Sequence, residues 1–219
     1  MDWLSAIRYK KMNTIKNIIF DIGNVILNFD VMDILPKFTT NDNEKRFILD
    51  TVINSPEWLQ YALIDTGYIS RSDAISILED RTNHKHDELI ETFLTGYTKY
   101  SLINENVIDI IENLKNNGYR IYLLSNINKH THDSIRSSKL FTLVDGYVFS
   151  YLEHKVKPYE SIYLELLSRY ELEPNECLFI DDKEQNVITA NSLGILGKAV
   201  LPDNLDSVKQ LLAEYEINY

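Results

Sequence analysis

Four apolar runs of strand length, each closed by a polar residue able to do chemistry, constrain this 219-residue chain more than any other feature. Ile18-Ile19-Phe20 ends at Asp21, Ile121-Tyr122-Leu123-Leu124 at Ser125, Tyr147-Val148-Phe149 at Ser150, and Cys177-Leu178-Phe179-Ile180 at Asp181. Continuous apolar runs without alternation mark strands buried on both faces, as in parallel sheets covered by helices. A weaker fifth run covers 197–201. Helical periodicity fills the intervals 104–117, 159–170, 184–193 and 204–215. Gly118 and Gly194 follow two of these as stop signals, and Pro158 precedes another. Strands alternating with helices predict parallel β-α-β units and an α/β fold. Residues 31–103 break the alternation with helix-like clusters at 43–53, 56–63, 70–80 and 86–98 and no convincing strand. They read as an inserted helical subdomain. The core then comprises 15–30 and 104–219, and residues 1–14 form an N-terminal extension.

In open parallel sheets, ligands sit beyond the carboxyl ends of the strands, so the closing residues should meet at one rim. Asp21 opens Asp21-Ile22-Gly23-Asn24, a tight turn. A carboxylate there can bind a hard cation and attack phosphorus; equally, an Asp commonly closes a strand into a turn. The Ser125-Asn126 pair suits donation to phosphate oxygens, and a Ser there also suits an N-cap of the following helix. Lys157, held before Pro158, can neutralise an anion, although most lysines are merely solvated. Adjacent Asp181 and Asp182 after a buried strand are costly without a nearby cation. A Mg²⁺ held by Asp21 and Asp182 would answer that cost; the competing reading is a helix start favoured by its dipole.

Composition narrows the class. Apolar residues at 44% and charged residues at 25% fit a folded globular chain. A net charge of −11 argues against nucleic acid as the main partner. A lone cysteine, Cys177, excludes an internal disulfide and reads as a buried thiol in a reducing, cytoplasmic setting. No stretch approaches a membrane span, and the N-terminus lacks the charge-then-apolar order of a secretory signal. Met12 is an alternative start.

Taken in order, Phe20-Asp21-Ile22-Gly23-Asn24-Val25, Leu124-Ser125-Asn126, Lys157-Pro158 and Ile180-Asp181-Asp182 with Asn186 beyond resemble the haloacid dehalogenase-like hydrolases. The resemblance runs from about Ile15 to Leu201. It implies a Rossmann-like three-layer sandwich with strand order 3-2-1-4-5 and a cap inserted after the first strand. It also implies a phosphatase acting on a small phosphorylated metabolite. Asp21 would be nucleophile and Mg²⁺ ligand, Ser125 and Asn126 would bind phosphate, and Lys157 would steady both. Asp182 would hold the metal directly, Asp181 directly or through water, and Gly23 through its backbone carbonyl. Monomer or homodimer is expected, with no membrane and no nucleic acid.

One departure stands out. Most phosphatases of this family carry a second Asp two residues after the nucleophile as general acid/base, and this chain has Gly23 there. The Gly-Asn-Val version resembles the α-D-glucose-1-phosphate phosphatase branch, where an anomeric phosphate leaves easily. Two other readings stay open: a 2-haloacid dehalogenase, which the Asp181-Asp182 pair disfavours, and a non-catalytic binding module. In the insert, Trp58, Tyr61 and Tyr68 are stacking candidates with Asp65 beside them. His84 and His86 read as a solvated loop. His130 and His132 follow the second motif closely enough to supply a substitute acid, against a plainer reading as surface histidines.

Overall fold

The computed structural model describes residues 15–54 and 64–219. The extension 1–14, Trp58, Tyr61 and the helical cluster 56–63 lie outside the described residues. Among the described residues there are seven strands: β1 (Asn17–Phe20), β2 (Leu27–Asn28), β3 (Leu102–Ile103), β4 (Arg120–Ser125), β5 (Gly146–Phe149), β6 (Cys177–Asp181) and β7 (Leu196–Ala199). The main sheet runs β5-β4-β1-β6-β7, with every pairing parallel. Counted among these five alone, that is the expected order 3-2-1-4-5. β1 is central: Ile18 pairs with Ile121 on one side and Leu178 on the other.

The two-residue period of the strands sends alternate side chains into two cores. Ile18, Phe20, Ile121, Leu123, Leu178 and Ile180 pack with the helices Glu105–Asn116 and Leu205–Glu214. Ile19, Tyr122, Leu124, Val148 and Phe179 pack with Glu160–Arg169 and Glu184–Ser192. Burial on both faces explains why these strands are apolar throughout. The helix bounds fall within one residue of the periodic segments. The fifth strand is displaced from its expected span of 197–201, because the Leu201 N–H turns to Ser207 Oγ (3.0 Å) instead of the sheet.

The insert carries helices Val31–Ile34, Asp42–Ile48, Arg71–Arg81 and Asp87–Gly96 around its own core of Ile34, Ile48, Leu78, Ile90 and Phe93. The expectation of no strand in 31–103 fails at its last two residues. β3 pairs antiparallel with β2, and Asn104 N–H donates to Ile26 O at 2.8 Å. A two-residue ribbon has no periodicity to read, yet it ties the insert's exit to its entry. No helix among the described residues is long and apolar enough to cross a membrane.

Candidate active site

Asp21 extends β1 into the rim, its N–H donating to Ile180 O at 2.8 Å. The chain then turns sharply: the N–H groups of Ile26 and Leu27 both reach Ile22 O, and Asn24 takes a left-handed φ of 56°. Asp21 Oδ1 accepts from Ile22 N–H at 2.7 Å and lies 2.9 Å from Lys157 Nζ. Lys157 Nζ also reaches Asp181 Oδ2 at 2.6 Å and Leu124 O at 2.9 Å. All three charged side chains are buried. Burial pushes the Asp21 carboxyl up to about 6; Lys157 opposes that shift and Asp181 adds to it. Burial alone would lower the Lys157 ammonium, but the Asp21 and Asp181 carboxylates outweigh it and hold it above its ordinary value.

The neighbouring motifs serve this pair. Ser125 ends β4, is buried, and its hydroxyl favours the charged form of Asp21. The helix Lys129–Ile135 is capped by Asn128, whose Oδ1 accepts from Thr131 N–H at 3.0 Å, so Ser125 is not spent as an N-cap. Asn126 grips the Lys157 backbone at both ends of its amide, accepting from Lys157 N–H (2.8 Å) and donating to Lys157 O (2.9 Å). Its side chain thereby helps to place Lys157.

The two acids of the last motif differ. Both oxygens of Asp181 are satisfied by protein donors: Lys183 N–H (2.8 Å) and Asn186 Nδ2 (2.9 Å) on one, Lys157 and Asn186 on the other. Asp182 accepts from Asn24 Nδ2 through Oδ2 at 3.1 Å, while its buried Oδ1 has no partner among the described residues. An orphaned buried carboxylate oxygen is costly, and a cation relieves it. Asp21, Asp181 and Asp182 each offer an oxygen within 4.8 Å of the others. An oxygen-only set with few carboxylates suits Mg²⁺, which keeps several waters.

These groups open on a cavity of about 160 Å³, also lined by Gly23, Asn126, Asp65 and Tyr97. A Cβ built on Gly23 meets nothing within 4 Å, so no steric demand requires glycine there. Asp65 comes from the insert. Its Oδ1 accepts from Asn128 Nδ2 at 3.0 Å, and its carbonyl accepts from Ser150 Oγ. His154 Nδ1 donates to Thr66 O at 2.7 Å. Gly67 follows with φ +72°, and an added Cβ would lie 2.4 Å from Tyr151 O. We expect Gly67→Ala to cost at least about 1–3 kcal/mol through backbone strain, read as a fall in Tm. Unchanged stability would mean this segment is not seated against the core as described.

The histidines sit elsewhere. His132 Nδ1 meets Tyr151 OH at 2.7 Å among the rings of Phe141, Tyr147 and Phe149. Neither His130 nor His132 lines the cavity. Both are half-buried at the edge of the core, and burial lowers both pKa values. Tyr68 is exposed and stacks on His154. His84 is exposed and pairs with Asp87, in keeping with a loop. Cys177 is buried, and burial pushes its thiol up to about 11, as befits a structural thiol. Asp65, which the sequence offered only as a neighbour of the insert's aromatics with no motif of its own, lines the cavity.

A family model for haloacid dehalogenase-like hydrolases matches residues 15–194. A sesquiterpene phosphatase of Aspergillus oryzae is 29% identical over 201 residues, spanning 90% of this chain and 95% of its own. A flavin mononucleotide hydrolase of Arabidopsis thaliana is 25% identical over 201 residues, spanning 88% of this chain and 78% of its own. Among solved structures, a HAD family enzyme from Bacteroides thetaiotaomicron, in complex with magnesium and inorganic phosphate, superposes with a TM-score of 0.66 at 23% identity. That match covers 87% of this chain and 96% of the other, and it is a likeness of fold.

Proposed function

The chain belongs to the haloacid dehalogenase-like hydrolases, and on that premise we propose that it is a phosphoric monoester hydrolase working through an aspartyl-phosphate on Asp21. The observation that carries this reading is the buried Asp21–Lys157–Asp181 array beside the unpartnered Oδ1 of Asp182. Asp21, Asp182 and the Gly23 carbonyl, with Asp181 directly or through water, would hold a Mg²⁺, which would supply positive charge against the phosphate and the attacking carboxylate. The saturation of Asp181 by its own donors favours that indirect role. Asp21 attacks phosphorus and takes the phosphoryl group. Ser125 donates its hydroxyl to a phosphoryl oxygen. Lys157 offsets the charge of nucleophile and phosphate together, in a site where water cannot screen it. Asn126 acts on the phosphate through its hold on Lys157. The paired acids, fitted to a cation, favour attack on a phosphate over attack on a haloacid carbon.

The substrate is a small phosphomonoester. A hexose 1-phosphate fits an Asp21 turn that carries no acid, because its anomeric oxygen leaves readily. Leu27, Phe29, Ile127 and Tyr97 give the cavity an apolar wall, which favours a prenyl-type phosphate as the second reading. Phosphate release from hexose 1-phosphates, prenyl phosphates and flavin mononucleotide, with Mg²⁺ and with EDTA, ranks them. Mg²⁺-dependent release from at least one is expected; halide release from a 2-haloacid without phosphate release from any ester would overturn the reading. We expect Asp182→Asn to raise the Mg²⁺ concentration for half-maximal activity by at least about 10-fold, since even outer partners of a metal site are worth that much. An unchanged Mg²⁺ titration would remove Asp182 from the ligand set.

A further inference from the structure

We infer that Asp65, reaching in from the inserted subdomain, is the general acid and base that the Asp21 turn lacks. The inference rests on the phosphatase reading above. Two proton transfers surround any aspartyl-phosphate: one to the departing alcohol, one from the incoming water. The position two residues beyond Asp21 is glycine, so the turn supplies no carboxyl for either. Among the described residues, Asp65 is the only carboxyl of the insert that lines the cavity with Asp21, Ser125 and Lys157.

Its placement is built. Asn128 Nδ2 donates to Asp65 Oδ1 at 3.0 Å and to Tyr97 OH at 2.9 Å, while Asn128 Oδ1 caps the helix behind it through Thr131 N–H. Ser150 and His154 hold the Asp65 and Thr66 carbonyls to the core. The side-chain hydrogen bond given for Asp65 engages Oδ1 alone. The core therefore fixes the backbone and one oxygen of a residue that lines the cavity. Burial pushes this carboxyl up to about 7, with Asn128 and then Lys183 opposing the shift. Among the described residues, Lys183 is the charged group facing it, and Tyr97 shares the Asn128 amide with it. A carboxyl that titrates near neutrality can give a proton and take one back in the same cycle.

The steps balance as follows. The Asp65 carboxyl gives its proton to the alcohol oxygen as the bond from that oxygen to phosphorus breaks and the Asp21–phosphorus bond forms. The Asp65 carboxylate then takes a proton from water as the water oxygen bonds phosphorus and the Asp21–phosphorus bond breaks. One water is consumed, alcohol and phosphate leave, and both carboxyls return to their starting states.

The test compares Asp65→Asn with wild type on p-nitrophenyl phosphate and on an alkyl phosphate, both with Mg²⁺. Asn retains an oxygen for Asn128. Nitrophenol leaves without an acid, so D65N should release a stoichiometric burst of it and then turn over about 10²–10⁴-fold more slowly than wild type. On the alkyl ester it should show the same loss with no burst, and the limb of the pH profile near neutrality should vanish. Gly23→Asp in the D65N background should restore turnover, because that position has room for a side chain. Turnover of D65N within threefold of wild type, or an equal loss on both esters with no burst, would overturn the assignment of Asp65 while the phosphatase reading stands. A wild type that hydrolyses no phosphate ester overturns that reading, and this one with it. Should D65N lose its fold by circular dichroism, Asp65→Ser is read by the same burst.

Discussion

Replacing Asp21 with Asn should lower phosphate release by roughly 10⁴-fold or more, the scale seen when a covalent nucleophile is removed, without unfolding the chain. The amide keeps the carboxylate's shape and still offers an oxygen to Ile22 N–H, now held at 2.7 Å. Lys157 keeps Asp181 as its partner at 2.6 Å. What is lost is the anionic oxygen that attacks phosphorus, and no neighbour replaces it, because Asp181 is saturated by Lys157, Asn186 and the Lys183 N–H. Steady-state rates and Tm are measured together. Activity within a hundredfold of wild type at unchanged Tm would show that Asp21 is not the nucleophile.

Lys157→Met should damage both activity and stability. The ammonium is buried and contacts two carboxylates, Asp21 at 2.9 Å and Asp181 at 2.6 Å. Removing one partner of a buried ion pair leaves uncompensated charge, at a cost of about 3–5 kcal/mol. Loss of a positive charge aimed at the developing phosphoryl charge costs a further factor of about 10²–10³ in kcat. The sign of the pH dependence follows. Asp21 already sits at about 6, above its ordinary value, because burial disfavours its charge. Without Lys157 it is raised further, so the folded variant holds a proton that the unfolded chain releases at lower pH. That contribution to stability is fully present below the unfolded carboxylate value and is lost as pH rises through the folded one. The stability gap between K157M and wild type should therefore be small near pH 4 and widen toward pH 8. A gap that is constant across that range would contradict the charge account and point to packing alone.

The core of this fold was legible because its strands are buried on both faces. Ile18-Ile19-Phe20 and Cys177-Leu178-Phe179-Ile180 show no alternation, and that is the signature of a covered parallel sheet. Their closing residues then fell together at one rim, as strand polarity requires. What escaped was structure without a period. The Leu27–Asn28 and Leu102–Ile103 ribbon is two residues a side, too short for any pattern. His130 and His132 follow Ser125 closely in sequence, but that does not bring them to the cavity. The helix Lys129–Ile135 carries His132 into the Phe141, Tyr147 and Phe149 rings instead. The hold of the Asn126 amide on the Lys157 backbone was also out of reach, since an amide's partners cannot be told from its neighbours in the chain. Asp65 had no motif at all. Its significance depends on the insert folding back onto Asn128, Ser150 and His154, which are 63, 85 and 88 residues away from the groups they bind.

The central claim is that the phosphoryl group passes through Asp21, and wild-type enzyme quenched in acid during turnover tests it most directly. Peptide mass spectrometry should find one added phosphoryl group on the Asp21 peptide, present with Mg²⁺ and substrate and absent with EDTA. D65N, slowed in the second step, should carry more of it. Phosphoryl transfer to any other residue, or continued Mg²⁺-dependent turnover by either protein with Asp21 never modified, would contradict the account.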